Sequence, residues 1–184
     1  MKLYFLLLLP LASFAGVVHA DEPVMGAYAG MSAGRATLHR ERLTRSGVEA
    51  HDTAFKALVG YRSLRGLAFE ASYADFGNMN RRDRLSGDID AFNVAIVGLI
   101  PLAKVDLFGK AGVGAWRGTT ADNAGREVRD DDIDPILAMG VQYRSGRLAV
   151  RAEAEAQLLS FGAGKHGRDG DWLDFISIGA HWSF

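Results

Sequence analysis

The chain has 184 residues, 22 glycines, no cysteine and a formal net charge of −1 at pH 7. This length is typical of a single domain. The near-neutral charge argues against a nucleic-acid-binding protein, which would carry a basic surface. The absence of cysteine excludes disulfide bonds, cysteine-ligated metal and cysteine catalysis.

Residues 1–20 have the pattern of a secretory signal peptide. Lys2 precedes an apolar stretch that Pro10 interrupts, and small or apolar residues lead up to Ala20. This order predicts export, with cleavage after Ala20 and a mature domain over residues 21–184. The alternative is an uncleaved membrane anchor, which the short and interrupted apolar stretch disfavours.

The mature chain alternates apolar and polar residues in steps of two, which is the pattern of β-strands. The clearest example runs over 148–158, where small or apolar residues alternate with Arg151, Glu153 and Glu155. Eight such segments are predicted near 25–38, 53–62, 67–76, 89–100, 105–117, 134–144, 148–158 and 176–184.

The connections between these segments alternate in length. The short ones are 63–66, 101–104 and 145–147, and the long polar ones are 39–52, 77–88, 118–132 and 160–171. Short turns at one end and long loops at the other are typical of an outer-membrane barrel, with the turns in the periplasm. The predicted fold is therefore all-β: an eight-stranded antiparallel up-and-down transmembrane β-barrel.

A soluble barrel of the lipocalin kind would alternate as well, with its polar face in water. Three acids and three bases occur on the polar faces, and such a balanced set can neutralise itself inside a narrow lumen. These predicted lumen residues are Lys56, Glu70, Lys110, Arg151, Glu153 and Glu155. Small residues on the same faces suit a crowded interior, namely Gly30, Gly34, Gly112, Gly114, Gly140 and Gly179.

Aromatic residues on the opposite faces fall near the two ends of the strands. At the loop end they are Phe55, Tyr73, Phe92 and Trp172, and at the turn end Tyr61, Tyr143, Trp182 and Phe184. Two such belts mark the interfaces of a membrane barrel. These features favour the membrane barrel over the soluble one.

Several short segments give the mature chain a resemblance to a known family. They are Tyr28-Ala29-Gly30 with Gly34, Gly60-Tyr61-Arg62, Phe69-Glu70-Ala71-Ser72-Tyr73, Trp116-Arg117, Arg151-Ala152-Glu153 and Gly179-Ala180-His181-Trp182-Ser183-Phe184. From Met25 to Phe184 the chain resembles the small outer-membrane barrels typified by the OmpA transmembrane domain, and in its compactness the OmpX-like and opacity-like barrels.

The resemblance implies roles for particular residues. Glu70 and Arg151 match an interior acid and base that meet in the OmpA barrel, and Lys110 matches a further interior base. The apolar stretch 95–97 stands where that family has another interior lysine. The last strand looks like the signal read by the barrel-assembly machinery, carried by Ile176, Ile178, Trp182 and Phe184.

Candidate catalytic and ligand-binding residues are few. His181 and Ser183 resemble the His-x-Ser pair of outer-membrane lipid A deacylases, but both fall on the inward face at the turn end, and no acid follows them. The mature histidines show no metal-ligand spacing. Loop charges could bind cations or lipopolysaccharide phosphates, but a solvated loop is the simpler interpretation; they are Asp130, Asp131, Asp132, Asp134, Arg81, Arg82 and Arg84.

The sequence thus predicts a non-enzymatic protein of the outer membrane with a structural or surface-interaction role, no cofactor, and a closed lumen lined by charges. The expected partners are outer-membrane lipids and lipopolysaccharide, and the barrel-assembly machinery during biogenesis. The protein is expected to be a monomer that binds no nucleic acid. A narrow channel for ions or small solutes is the second hypothesis, and a lipid A-modifying enzyme the third.

Overall fold

The fold is described from a computed structural model, which describes residues 23–39, 49–78, 88–121, 127–160 and 170–184. The signal peptide and its cleavage site lie outside these ranges. Eight strands form one closed barrel in sequence order. They are β1 (Gly26–His39), β2 (Glu49–Leu64), β3 (Leu67–Asn78), β4 (Asp88–Leu102), β5 (Val105–Ala121), β6 (Glu127–Ser145), β7 (Leu148–Ser160) and β8 (Gly170–Ser183).

Each strand pairs antiparallel with the next one along the chain, and β1 closes the barrel by pairing with β8. At the closure, Tyr28 of β1 lies opposite Ser183 of β8, and His39 lies opposite Trp172. Closure leaves no unpaired strand edge, so the backbone polar groups are satisfied within the barrel wall. The predicted all-β antiparallel fold is confirmed.

The strands run further toward the loops than the apolar pattern indicated. The backbone pairing of β5 with β6 continues to Ala121 opposite Glu127, inside the predicted loop 118–132. β8 likewise begins at Gly170, inside the predicted loop 160–171 and before the clear alternation that starts at 176. The apolar alternation marks only the part of a strand that lies in the membrane, because only there does one face need apolar side chains. Hydrogen-bonded pairing between strands can continue beyond the membrane into water.

Three two-residue turns join the strands at the end of the barrel that we call the turn end; the opposite end is the loop end. The turns are 65–66, 103–104 and 146–147. Gly146 has φ of +60°, and Ala103 adopts φ of +55° although it carries a Cβ. Such values are unusual for a residue other than glycine, so Ala103 stores a small backbone strain.

Side chains alternate between the lumen and the outer surface. The six predicted lumen charges are buried, whereas the eight predicted belt aromatics are exposed on the outside. Exposed apolar residues such as Met31, Met139 and Ile178 lie between the two belts. The interior of the lumen is therefore the core of the molecule. Within the described ranges, no helix is long and apolar enough to cross a bilayer.

Candidate functional site

The lumen is filled from end to end, in successive layers. An apolar cluster lies at the loop end, a charged cluster lies in the middle, and a second apolar cluster and a second charged cluster lie toward the turn end. An eight-stranded barrel encloses a space that side chains alone can fill. The contents of each layer decide whether anything can pass through or bind inside.

The middle layer, here the central network, consists of the six charges predicted from the sequence. The Arg151 guanidinium donates to the Glu70 carboxylate at 2.7 Å, and the Lys110 ammonium lies 2.5 Å from the other oxygen of Glu70. Lys110 is also 2.8 Å from Glu153, to which Arg151 comes within 3.6 Å. Glu70 and Glu153 are thus each held between two or more cations.

Lys56 completes the central network on the opposite wall. Its ammonium donates to Glu153 and, at 2.9 Å, to Glu155. The six residues come from four strands: one each from β2, β3 and β5, and three from β7. The ion pairs therefore tie separate parts of the barrel wall together across the lumen. Buried ions need such multiple partners because their desolvation costs several kcal/mol per ion.

A second set of polar residues lies at the turn end and was not predicted as a group. This turn-end network is organised by Asp106, a completely buried carboxylate. Arg62 donates to it at 3.0 Å, Gln142 at 2.8 Å and Arg144 at 3.1 Å. Arg62 and Arg144 also donate to backbone carbonyls of the turns, Arg62 to that of Arg65 and Arg144 to that of Ala103.

One side chain joins the two networks. The Gln142 side-chain carbonyl accepts a hydrogen bond from Arg151 at 3.0 Å, while its amide nitrogen donates to Asp106. The position of these residues could have been read from strand parity. Arg62 shares the face of Lys56, and Asp106 shares the face of Lys110, so both point inward by the same alternation.

The loop end of the lumen is closed by an apolar plug. Phe76 and Phe175 meet edge to face with ring centroids 5.7 Å apart, and the Trp116 indole donates to Asp134 at 2.8 Å. Small residues pack around these rings; the plug comprises Ala36, Ala54, Ala74, Phe76, Ile89, Ala91, Trp116, Leu173 and Phe175. The expected picture of a lumen lined by charges and glycines therefore omits a large apolar part.

The second apolar cluster lies between the two networks. Val97 faces inward and is completely buried, and the Arg151 guanidinium lies 4.5 Å above the Phe108 ring. The Tyr28 hydroxyl donates to Glu70 at 2.7 Å. Gly60 makes room for that ring, because a Cβ there would come within 2.5 Å of the Tyr28 hydroxyl. The cluster is formed by Tyr28, Leu58, Ala68, Val97, Leu99 and Phe108.

The other candidate residues are placed as follows. His181 is buried at the turn end and packs against Tyr28, with ring centroids 4.8 Å apart and the ring planes tilted by 40°. The four residues of the expected assembly signal are exposed on the outer face, namely Ile176, Ile178, Trp182 and Phe184. Asp131 and Asp132 lie exposed on β6 rather than in a loop. Arg81, Arg82 and Arg84 fall outside the described residues.

No group of three or more histidine and acidic side chains with the geometry to hold a metal ion occurs in the described part of the chain. The lumen geometry, with its paired charges and apolar plug, is that of a packed barrel interior. Together with the apolar outer face and its aromatic belts, it defines the class: a small membrane-spanning β-barrel.

Comparison with known families identifies the chain within that class. A sequence model of the OmpA-like transmembrane domain matches residues 24–183. The chain belongs to this family and is an outer-membrane β-barrel. No curated protein matches the chain.

Solved structures of other small barrels share the fold. Neisserial surface protein A (NspA) is 15% identical with a TM-score of 0.69, covering 86% of this chain and 97% of its own. Ail, the attachment invasion locus protein of Yersinia pestis, is 16% identical with a TM-score of 0.59, covering 88% and 100%. The N-terminal barrel domain of Pseudomonas aeruginosa OprF is 13% identical with a TM-score of 0.57, covering 86% and 98%.

Proposed function

We propose that this protein is a non-enzymatic barrel that holds four loop-end segments at the cell surface and does not conduct solutes through its lumen. The observation that carries the proposal is the filled lumen. The apolar plug lies at the loop end, and below it the central network joins opposite walls with ion pairs. Water and ions would need a continuous polar path, which the packed rings of Phe76 and Phe175 interrupt.

The difference between the two barrel ends supports a surface role for the loop end. Three turns at one end contain two residues each. The connections at the other end are longer and cover residues 40–48, 79–87, 122–126 and 161–169. Binding residues concentrate on loops that a rigid scaffold positions. Two proteins that share this fold are named as a surface protein and an attachment invasion locus protein.

Export and assembly follow the same proposal. The signal peptide 1–20 directs the chain out of the cytoplasm with cleavage after Ala20, and the last strand is recognised by the barrel-assembly machinery. The mature protein is a monomer, surrounded by lipopolysaccharide in the outer leaflet and phospholipid in the inner leaflet. The exposed apolar surface between the aromatic belts supports lipid as the surrounding medium.

A lipid A-modifying activity is disfavoured by the surroundings of His181. A serine hydrolase needs its histidine oriented by a third group, usually an acid. The His181 ring packs against Tyr28 instead, and its Nδ1 atom has no hydrogen-bond partner among the described residues. If the lipid A of cells overexpressing the protein lost an acyl chain, this part of the proposal would be wrong.

The orientation is tested by single-cysteine labelling, which is clean here because the chain has no cysteine. Asp131→Cys is exposed near the loop end, and Ser145→Cys is a matched exposed position at the turn end. A membrane-impermeant maleimide should label Asp131→Cys on intact cells and Ser145→Cys only after the outer membrane is opened. The reverse pattern would place the loop end in the periplasm and refute the surface role.

A further inference from the structure

A small recess at the turn end of the lumen has an unusual chemical lining. Its volume is about 20 Å³, and its walls include Arg62, Arg144, Arg151 and His181. A polar cavity of this size holds one water molecule or one group of similar size. The recess lies beside the turn-end network and is separated from the loop end by the central network and the apolar plug.

Three of the lining side chains have polar atoms without a partner. The Nε atoms of Arg62 and Arg151 and the Nδ1 atom of His181 are buried, and none has a hydrogen-bond partner among the described residues. All three residues are more than nine-tenths buried, with exposed fractions of 5%, 4% and 7%. Buried polar atoms without a partner are uncommon in folded proteins, and each one calls for a hydrogen-bond partner.

The chemistry of these atoms restricts what the acceptor can be. The Nε of arginine is always a donor and never an acceptor, so two of the three positions require a lone pair. A neighbouring protein carboxylate does not supply it, since Asp106 bonds the terminal nitrogens of Arg62 and Glu70 bonds the terminal nitrogen of Arg151. The missing partner is therefore a small group rich in lone pairs.

The charge inside the barrel favours an anion over a neutral group. Between the apolar plug and the turn end, the described buried side chains carry five positive and four negative charges, an excess of one positive charge. The cations are Lys56, Arg62, Lys110, Arg144 and Arg151, and the carboxylates are Glu70, Asp106, Glu153 and Glu155. Asp134 is a fifth buried carboxylate, but it lies at the apolar plug, where it accepts a hydrogen bond from the Trp116 indole. The excess positive charge is therefore local to the turn-end network, where Arg62 and Arg144 face the single carboxylate of Asp106.

We propose that the recess is a binding site for one small monovalent anion of the chloride class. Arg62 and Arg151 supply Nε–H donors, and His181 adds a third donor when its proton is on Nδ1. The bound anion offsets the local excess of positive charge at the turn end. A single buried charge without a counter-ion is strongly unfavourable, whereas an anion held by two guanidinium groups gains charge-assisted hydrogen bonds. The site lies at the turn end and is independent of the loop-end segments.

The experiment measures thermal unfolding of the detergent-folded protein in sodium chloride and in sodium gluconate at equal ionic strength. Gluconate is too large for a recess of about 20 Å³. An anion that binds only the folded state raises the unfolding midpoint in a saturable way. We expect the midpoint to rise with chloride and with bromide and to stay unchanged with gluconate.

Three variants locate the effect. Arg62→Gln removes one donor and the excess charge, so its half-saturating chloride concentration should rise about tenfold, the loss expected for a charged hydrogen bond. Asp106→Asn increases the excess charge and should lower that concentration. Arg65→Gln is the matched control, because this exposed arginine of the same turn does not line the recess, and it should respond like the unaltered protein.

A direct measurement keeps the proposal falsifiable if a variant does not fold. Crystals of the unaltered protein grown in sodium bromide should show an anomalous peak in the recess between Arg62, Arg151 and His181. A recess that holds only water, with equal unfolding midpoints in chloride and gluconate, would overturn the proposal. A bromide peak without any chloride effect on unfolding would show binding at crystal concentration only and would also overturn the proposal.

Discussion

Individual lumen residues show what strand parity can and cannot reveal. The six charges of the central network were predicted from alternation alone. One face of each strand contacts lipid, so a charged side chain is expected on the other face, toward the lumen. Their partners could not be assigned, because the register between distant strands decides which charges meet. Lys56 and Glu155, for instance, are brought to 2.9 Å by strands that are not neighbours in the barrel wall.

The central network should behave as a coupled unit under mutation. Glu70→Ala leaves both Arg151 and Lys110 without one of their partners, and we expect a loss of about 3–5 kcal/mol in the free energy of unfolding. Combining Glu70→Ala with Arg151→Ala should recover part of that loss, because the stranded guanidinium is removed as well. Urea titration of the barrel in phospholipid vesicles gives the values for a double-mutant cycle. Strictly additive losses would contradict the network.

Ala103 offers a test of stored backbone strain. A left-handed conformation costs an alanine about 1–2 kcal/mol, and glycine avoids this cost but loses more freedom on folding. We expect Ala103→Gly to stabilise the barrel by about 0.5–1 kcal/mol in the same urea titration. Gly146→Ala is the reverse control: its Cβ would meet nothing within 4 Å, so only the backbone conformation at φ of +60° opposes it. Stabilisation by both substitutions would contradict the strain at Ala103.

At the scale of elements, the eight strands were predictable because lipid and lumen impose opposite preferences on alternate residues. The prediction was weakest where that contrast fades. The pairing of β5 with β6 continues beyond Gly118 into a predicted loop. The plug residues Phe76, Trp116 and Phe175 point inward although they are apolar, so the alternation of polar and apolar residues does not identify them as lumen residues. Where both faces of a strand are apolar, only the odd or even position of a residue indicates whether it points inward. That argument can be used only if the strand is known to extend as far as the residue.

The last strand carries a prediction about assembly. Phe184 is expected to form part of the signal for the barrel-assembly machinery, together with Trp182 and Ile178 on the same outward face. Deleting Phe184 should lower the amount of folded, heat-modifiable protein in the outer membrane at strong expression. The control is Phe92→Ala, which truncates an exposed aromatic side chain on β4, away from the last strand.

The two variants separate delivery to the outer membrane from anchoring at its interface. An aromatic side chain at the membrane interface contributes to stability, so Phe92→Ala should weaken the purified barrel without reducing its delivery. Deletion of Phe184 should reduce delivery even at modest expression. Equal yields of the two proteins in the outer membrane would assign Phe184 an anchoring role only.

The whole molecule is a closed barrel whose interior alternates apolar and polar layers, with two linked polar networks on either side of the second apolar cluster. The sequence could predict a lumen neutralised by three acids and three bases, and it could suggest closure. It could not predict that Gln142 would join Arg151 to Asp106, or that the loop end would be closed by aromatic rings, since both depend on the three-dimensional register. Closure of the lumen is the claim on which the proposed function depends.

Planar-bilayer recording of the purified, heat-modifiable protein tests that claim most directly. The recording is made with the unaltered barrel in potassium chloride at moderate voltage, and with a Phe76→Ala and Phe175→Ala double variant that opens the apolar plug as a comparison. Because ion pairs and packed rings fill the lumen, we expect no channel openings from the unaltered protein above those of protein-free bilayers. Reproducible, discrete conductance steps from the folded, unaltered barrel would contradict the account and favour the narrow channel.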